Sequence, residues 1–225
     1  MKIQVEGRRS MAFTLVELLI VIAIIGILAG FTVPVMRTIK LHQYENHARA
    51  EMEQLVTAIE NYKTAYGFYP PSNPGNPLTN QLYYELVGTK LTSSAPLTFQ
   101  TLDGSQTITT TQVSANFGPA VTAFVNCTKP GAGEDAPAGK RFVTELKPNQ
   151  TAAFQDVILF VTSVHGPDPT YKPVPSMADL NPWRYVSPGV NNTGSYDLWM
   201  QLQVGGKKYL LCNWTKQIQV NSPLP

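Results

Sequence analysis

The chain has 225 residues, a net charge of +2 and only 14% charged side chains, so it offers no basic field for nucleic acid or an acidic surface to bind. That length accommodates one long helix and one globular domain of ordinary size, and a second domain would strain it. Its 18 Pro and 16 Gly fall mostly beyond Gly67, which predicts a loop-rich C-terminal portion.

Residues 1–12, MKIQVEGRRSMA, are polar, carry Lys2, Arg8 and Arg9, and end on the small side chain of Ala12. Residues 13–36 are nearly all apolar. From Leu18 to Met36 no residue is charged, and ~20 apolar residues rising ~1.5 Å each are enough to cross a hydrocarbon layer ~30 Å thick. A single segment in lipid must satisfy its own backbone hydrogen bonds, so the expectation is a membrane-spanning helix. Glu17 is the anomaly, because an ionised carboxylate facing lipid is expensive unless something compensates it. A cut after Ala12 would free the α-amino group of Phe13, which is mostly protonated near neutrality. Within one chain that amine and Glu17 lie one helical turn apart. In a bundle of identical, axially staggered helices, Glu17 of one subunit would instead meet the amine of the next.

A basic start before an apolar run also describes an ordinary secretory signal or a single-span anchor, and GRRSMAF has the look of a twin-arginine signal. The length of the run, the presence of Glu17 and the poor small-x-small site around Leu28 to Phe31 argue against a cleaved secretory signal. Arg37 and Lys40 roughly balance the basic residues of 1–12, so the flanking charges leave orientation open. Pro34 removes one backbone hydrogen bond inside the helix and predicts a kink near Gly30 to Pro34.

Over 37–67 the pattern becomes amphipathic. Leu41, Tyr44, Ala48, Met52, Leu55, Ile59, Tyr62 and Tyr66 recur at steps of three and four and share one face, with Glu45 and Arg49 forming an i,i+4 pair off it. Gly67 is the expected C-terminal cap, and Pro70 with Pro71 forbids continuation. One helix is therefore predicted from about Phe13 to Tyr66, its second half packed against the C-terminal domain. His42 and His47 stand five residues apart, off a common face, and read as solvated surface rather than metal ligands.

In 68–225, GFYPPSNPGNPLTN is a turn-rich exit and Gln81 to Val87 a short helix. Leu97 to Leu102 and Thr107 to Val113 predict a hairpin around Asp103 and Gly104, and KPGAGEDAPAGK an exposed loop. Asp156 to Val164 and Trp183 to Val186 read as strands. Tyr196 to Val204 alternates with the period of a half-buried strand, and Gly205-Gly206 supplies a two-residue turn that sets Leu202 opposite Tyr209 and Met200 opposite Leu211. The fold class is α+β: a long N-terminal helix packed on a C-terminal antiparallel sheet. Cys127 and Cys212 suffice for one bridge, which would contribute about 2 to 4 kcal/mol, and the alternative is two buried free thiols.

The run A-FTLVELLIVIAIIGILAG resembles the leader junction and first helix of type IV prepilins and of the pseudopilins of type II secretion. The resemblance implies cleavage between Ala12 and Phe13 by a prepilin peptidase, N-methylation of Phe13, and pairing of Glu17 with a neighbouring subunit's terminus. It implies a helical homo-oligomeric filament raised by an inner-membrane assembly platform, with residues 1–12 as leader, 13–36 as the transmembrane and assembly half, 37–67 as the amphipathic half and 68–225 as a periplasmic or extracellular pilin-like domain. Ala12 departs from the usual Gly before the cut. In NPWRYVSPG, SYDLW and CNW the chain also resembles the C-terminal half of the major pseudopilin, where a loop holds calcium. The corresponding GGKKYLLCNW carries no Asp or Glu, and calcium favours six to eight oxygen ligands, so no metal and no cofactor are expected. The tight Gly hairpin, with or without a Cys127 to Cys212 bridge, is expected to supply the order instead.

No GxSxG turn, Gly-rich phosphate loop, HExxH or Cys-x-x-Cys is present. His165 with Asp168 sits in a Gly/Pro turn, and Trp183, Trp199 and Trp214 read as core or interface rather than a sugar platform. The chain is read as a non-enzymatic filament subunit held in the bacterial inner membrane. The alternative is a single-span, membrane-anchored periplasmic binding or catalytic domain.

Overall fold

The computed structural model describes residues 14–73, 75–129, 138–164, 174 and 180–223, without the side chains of 31–38. The chain divides into two units, Met1–His42 and Gln43–Pro225, and helix α1 (Leu15–Tyr66) contributes to both. Gly67 ends α1 as its sequence implies: its φ is +83° and its N–H donates to the Lys63 carbonyl at 2.7 Å.

In the second unit, the expected face of α1 is the buried one. Ala48, Met52, Leu55, Ile59 and Tyr62 are at most 4% exposed, with Tyr44 and Tyr66 half-buried beside them. Flanking that face, and partly buried, is the ion pair of Arg49 with Glu45 at 2.8 Å. The same core takes in α2 (Leu82–Val87), whose six residues are all buried, together with Trp183, Tyr185, Leu198, Met200, Leu202 and Leu211.

The predicted single antiparallel sheet is replaced by three small ones. The first runs β3-β2-β1-β4, from β1 (Thr89–Ser94), β2 (Leu97–Thr101), β3 (Thr107–Thr109) and β4 (Cys127–Thr128), and its β1–β4 pairing is parallel. The second is the hairpin of β5 (Thr151–Phe154) and β6 (Val157–Phe160). The third runs β10-β9-β8-β7, from β7 (Arg184–Val186), β8 (Asp197–Val204), β9 (Lys207–Cys212) and β10 (Gln219–Val220). Short strands separated by Pro- and Gly-rich turns lack the length to continue one sheet across the unit.

The hairpin around Asp103 and Gly104 exists, but its second limb stops early. Thr109 caps α3 (Thr110–Phe117): Gln112 donates its N–H to the Thr109 hydroxyl while the Gln112 side chain accepts from the Thr109 amide at 3.0 Å. The T-x-x-Q pattern of a capping box thus overrides the β-propensity of the Thr run. The β8–β9 register is the one the Gly-Gly turn requires, with Leu202 opposite Tyr209 and Met200 opposite Leu211. β8, however, is not half-buried. Asp197 to Leu202 are buried on both faces, because Trp199, Leu210 and Cys212 form a second small cluster with Val186 and Trp214 on the side away from the main core.

Candidate assembly site

The first turn of α1 is built around Thr14 and Glu17. One Glu17 oxygen accepts the Thr14 amide at 2.9 Å and its hydroxyl at 2.8 Å, and the Glu17 amide donates back to the hydroxyl at 3.2 Å. This is the reciprocal pattern of a capping box, and it satisfies donors that a helix start otherwise leaves orphaned. The T-L-V-E spacing just before an apolar run is its sequence signature, and reasoning from charge alone passed over it. Glu17 therefore has a partner inside its own chain. Phe13 and Ala12 lie outside the described residues.

From Leu15 to Leu28 the large apolar side chains are exposed all round the helix, between 45% and 79% in the isolated chain. A helix that is apolar on every side, with no face left for water, is one that lipid or other helices must cover. Gly26 and Gly30 leave open notches, where an added Cβ would meet nothing within 4 Å. Such notches allow close approach of a neighbouring backbone. Among the described residues, no helix is long and apolar enough to cross a membrane. The expected span of 13–36 includes Phe13 and the side chains of 31–36, which lie outside the described residues. α1 is helical through Pro34, whose side chain and expected kink fall in that same region.

In the second unit, the buried carboxylates Glu85 and Asp197 each organise part of the fold, as does Glu51 on α1, which accepts the Thr162 hydroxyl at 2.8 Å. Glu85 on α2 accepts the Tyr62 hydroxyl at 2.9 Å and the amides of Val125 and Asn126 at 2.8 and 2.9 Å. Burial pushes its pKa up, against the pull of those donors. Asn126 extends the hub by donating to the Glu85 and Lys140 carbonyls and accepting the Tyr66 hydroxyl at 2.8 Å. Asp197, 2% exposed, gathers the loop before it: it accepts the amides of Val190, Asn191 and Asn192 at 2.9, 2.8 and 2.8 Å.

Of the two alternatives for Cys127 and Cys212, the structure holds the second: both are free, buried thiols. They sit in different apolar clusters, Cys127 in the main core and Cys212 beside Trp199, so their burial needs no bridge. Burial also raises the pKa of the Cys127 thiol. His42 and His47 are exposed on α1. His165 and Asp168 lie outside the described residues. Trp183 is core, and Trp199 packs edge-on against Trp214 at 5.9 Å. Among the described residues no cluster of His, Cys, Asp and Glu is arranged to hold a metal ion.

The helix start with its capped carboxylate, and the exposed apolar run behind it, fall in a segment that matches a known motif. Residues 8–33 match the prokaryotic N-terminal methylation motif. Over 93 residues the chain is 33% identical to the type II secretion system core protein G of Vibrio cholerae serotype O1. That alignment covers 41% of this chain and 58% of the relative, so the chain spans less than two thirds of the relative's length. No solved structure matches the chain.

Proposed function

We propose that this chain is the precursor of a filament subunit, cleaved between Ala12 and Phe13 by a prepilin peptidase, N-methylated on Phe13, and polymerised into a type II secretion pseudopilus. The observation that carries the reading is the apolar helix exposed on every side behind a single first-turn carboxylate, within a segment that matches the methylation motif. Lipid covers that surface in the stored subunit and neighbouring copies cover it in the filament. Each transfer keeps the apolar side chains from water, at about 25 cal/mol per Å². The new Phe13 amine competes with the Thr14 cap for Glu17, and in the polymer the amine of an adjacent subunit pairs with it. The second unit forms the periplasmic filament surface. The role is structural, not catalytic, and the platform that raises the filament lies in the inner membrane.

Mass analysis of the mature N-terminus combined with electron microscopy of the purified assembly tests this reading. A chain lacking residues 1–12, methylated on Phe13 and visible as filaments, is the expected result. A retained Met1 in a protein that stays monomeric overturns it.

A further inference from the structure

The resemblance to the major pseudopilin raises calcium as an ordering ion for the C-terminal strands, and the residues present do not fit one. The stretch that would hold it is a closed hairpin: β8 and β9 pair without interruption from Trp199 with Cys212 to Val204 with Lys207. Gly205 and Gly206, at φ +60° and +79°, turn the chain in two residues and leave no loop to wrap a cation. The side chains next to the turn are Lys207 and Lys208, both exposed. β10 clamps the second limb, with Asn221 donating its amide to the Lys208 carbonyl at 2.7 Å and accepting the Lys208 amide at 3.2 Å.

From residue 180 to 225 the sole carboxylate side chain is Asp197, and its surroundings have the wrong polarity for a metal. Oδ2 accepts the amides of Val190 and Asn191 and the Asn191 side-chain amide at 3.0 Å, and Oδ1 accepts the Asn192 amide. Four N–H groups converging on one carboxylate form a nest for an anion. A calcium ion there would face N–H dipoles where it needs oxygens. Gly189 lets the loop close this tightly, since a Cβ on it would stand 2.7 Å from Asp197 Oδ1. The loop is then tied outward by Ser195, which donates to the Tyr69 hydroxyl at 3.2 Å, and by Ser72, which donates to the Ser187 carbonyl at 2.9 Å.

We infer that Asp197 serves this chain as a built-in ordering anion, and that with the Gly205-Gly206 hairpin it fixes the C-terminal sheet without calcium. The inference concerns the unassembled subunit, so its outcome is independent of whether filaments form. The test uses the full chain in detergent, titrated with calcium chloride and melted with calcium or with a chelator. No saturable calcium binding and the same melting temperature in both conditions are expected. Stoichiometric binding, or a melting temperature that drops by several degrees on chelation, overturns the inference. Asp197→Asn, which keeps the shape and loses the charge, is expected to melt lower and to be cut by protease within 187–196, equally with and without calcium. Asn191→Ala, which removes only one of the donors, is expected to show a smaller effect of the same kind. Wild-type protease resistance in both variants, or rescue of either by calcium, refutes the role given to Asp197.

Discussion

Replacing Glu85 by Gln probes the hub that joins α1, α2 and the chain entering β4. Glu85 is fully buried, and each of its oxygens accepts at least one hydrogen bond: Oε1 from the Val125 amide, Oε2 from the Tyr62 hydroxyl and the Asn126 amide. Gln fits the space but presents an NH₂ where one oxygen stood. The less costly orientation turns that NH₂ toward the part-buried Val125 N–H and leaves both donors without an acceptor. At ~1 to 3 kcal/mol for each unsatisfied group, the expected loss is about 2 to 6 kcal/mol. The pH dependence follows from the raised pKa of Glu85, whose main cause is burial. A folded-state pKa above the unfolded value contributes stability that is fully present below the unfolded pKa and lost as pH rises through the folded one. A protonated carboxyl still accepts at both oxygens, which an amide nitrogen does not, so the gap between wild type and Glu85→Gln is widest in acid and narrows as pH rises. Denaturant unfolding of the full chain in detergent, followed by the near-ultraviolet signal of the buried tyrosines, measures it. A variant within about 0.5 kcal/mol of wild type in acid, as expected of an indifferent surface site, or a gap that widens with pH, refutes the reasoning.

Glu17→Gln keeps a side chain able to complete the cap on Thr14 but removes the charge, whereas Glu17→Ala removes both. Both variants are expected to fold in the second unit and to abolish filaments, and normal filament yield from Glu17→Gln, counted by electron microscopy, refutes the charge pairing. Two thiols should titrate in the protein unfolded without reductant, and neither should react quickly in the folded state, since both are buried; recovery of none after unfolding would show a bridge. Gly88→Ala should lower stability by about 1 to 3 kcal/mol, because its φ is +79° and the new Cβ would stand 2.7 Å from the Lys140 carbonyl; a melting temperature equal to wild type would refute that.

Much was legible in the sequence because it was local. The 3.6-residue period of Leu41 to Tyr66 set the buried face of α1, Gly67 ended it, and Gly205-Gly206 fixed the β8–β9 register. Each of these depends on backbone geometry within a few residues, which the side chains there impose directly. Two local signals were outvoted by composition. T-x-x-Q at Thr109 and T-x-x-E at Thr14 are both helix starts, the first hidden in a Thr run that favours strands and the second overshadowed by the charge of Glu17. β1 and β5 were missed because Thr, Ser, Lys and Ala give no alternating pattern and become strands only by pairing.

By itself, the sequence determined the long helix, its apolar first half with one acid near the start, the amphipathic second half and the final hairpin, because periodicity and turn chemistry act at short range. Only the tertiary structure decided that three small sheets replace one, that Cys127 and Cys212 settle in separate clusters, and that Glu85 collects the amides of Val125 and Asn126 from far along the chain. A buried carboxylate recruits whichever N–H groups the fold brings to it, and no spacing along the chain announces which those are.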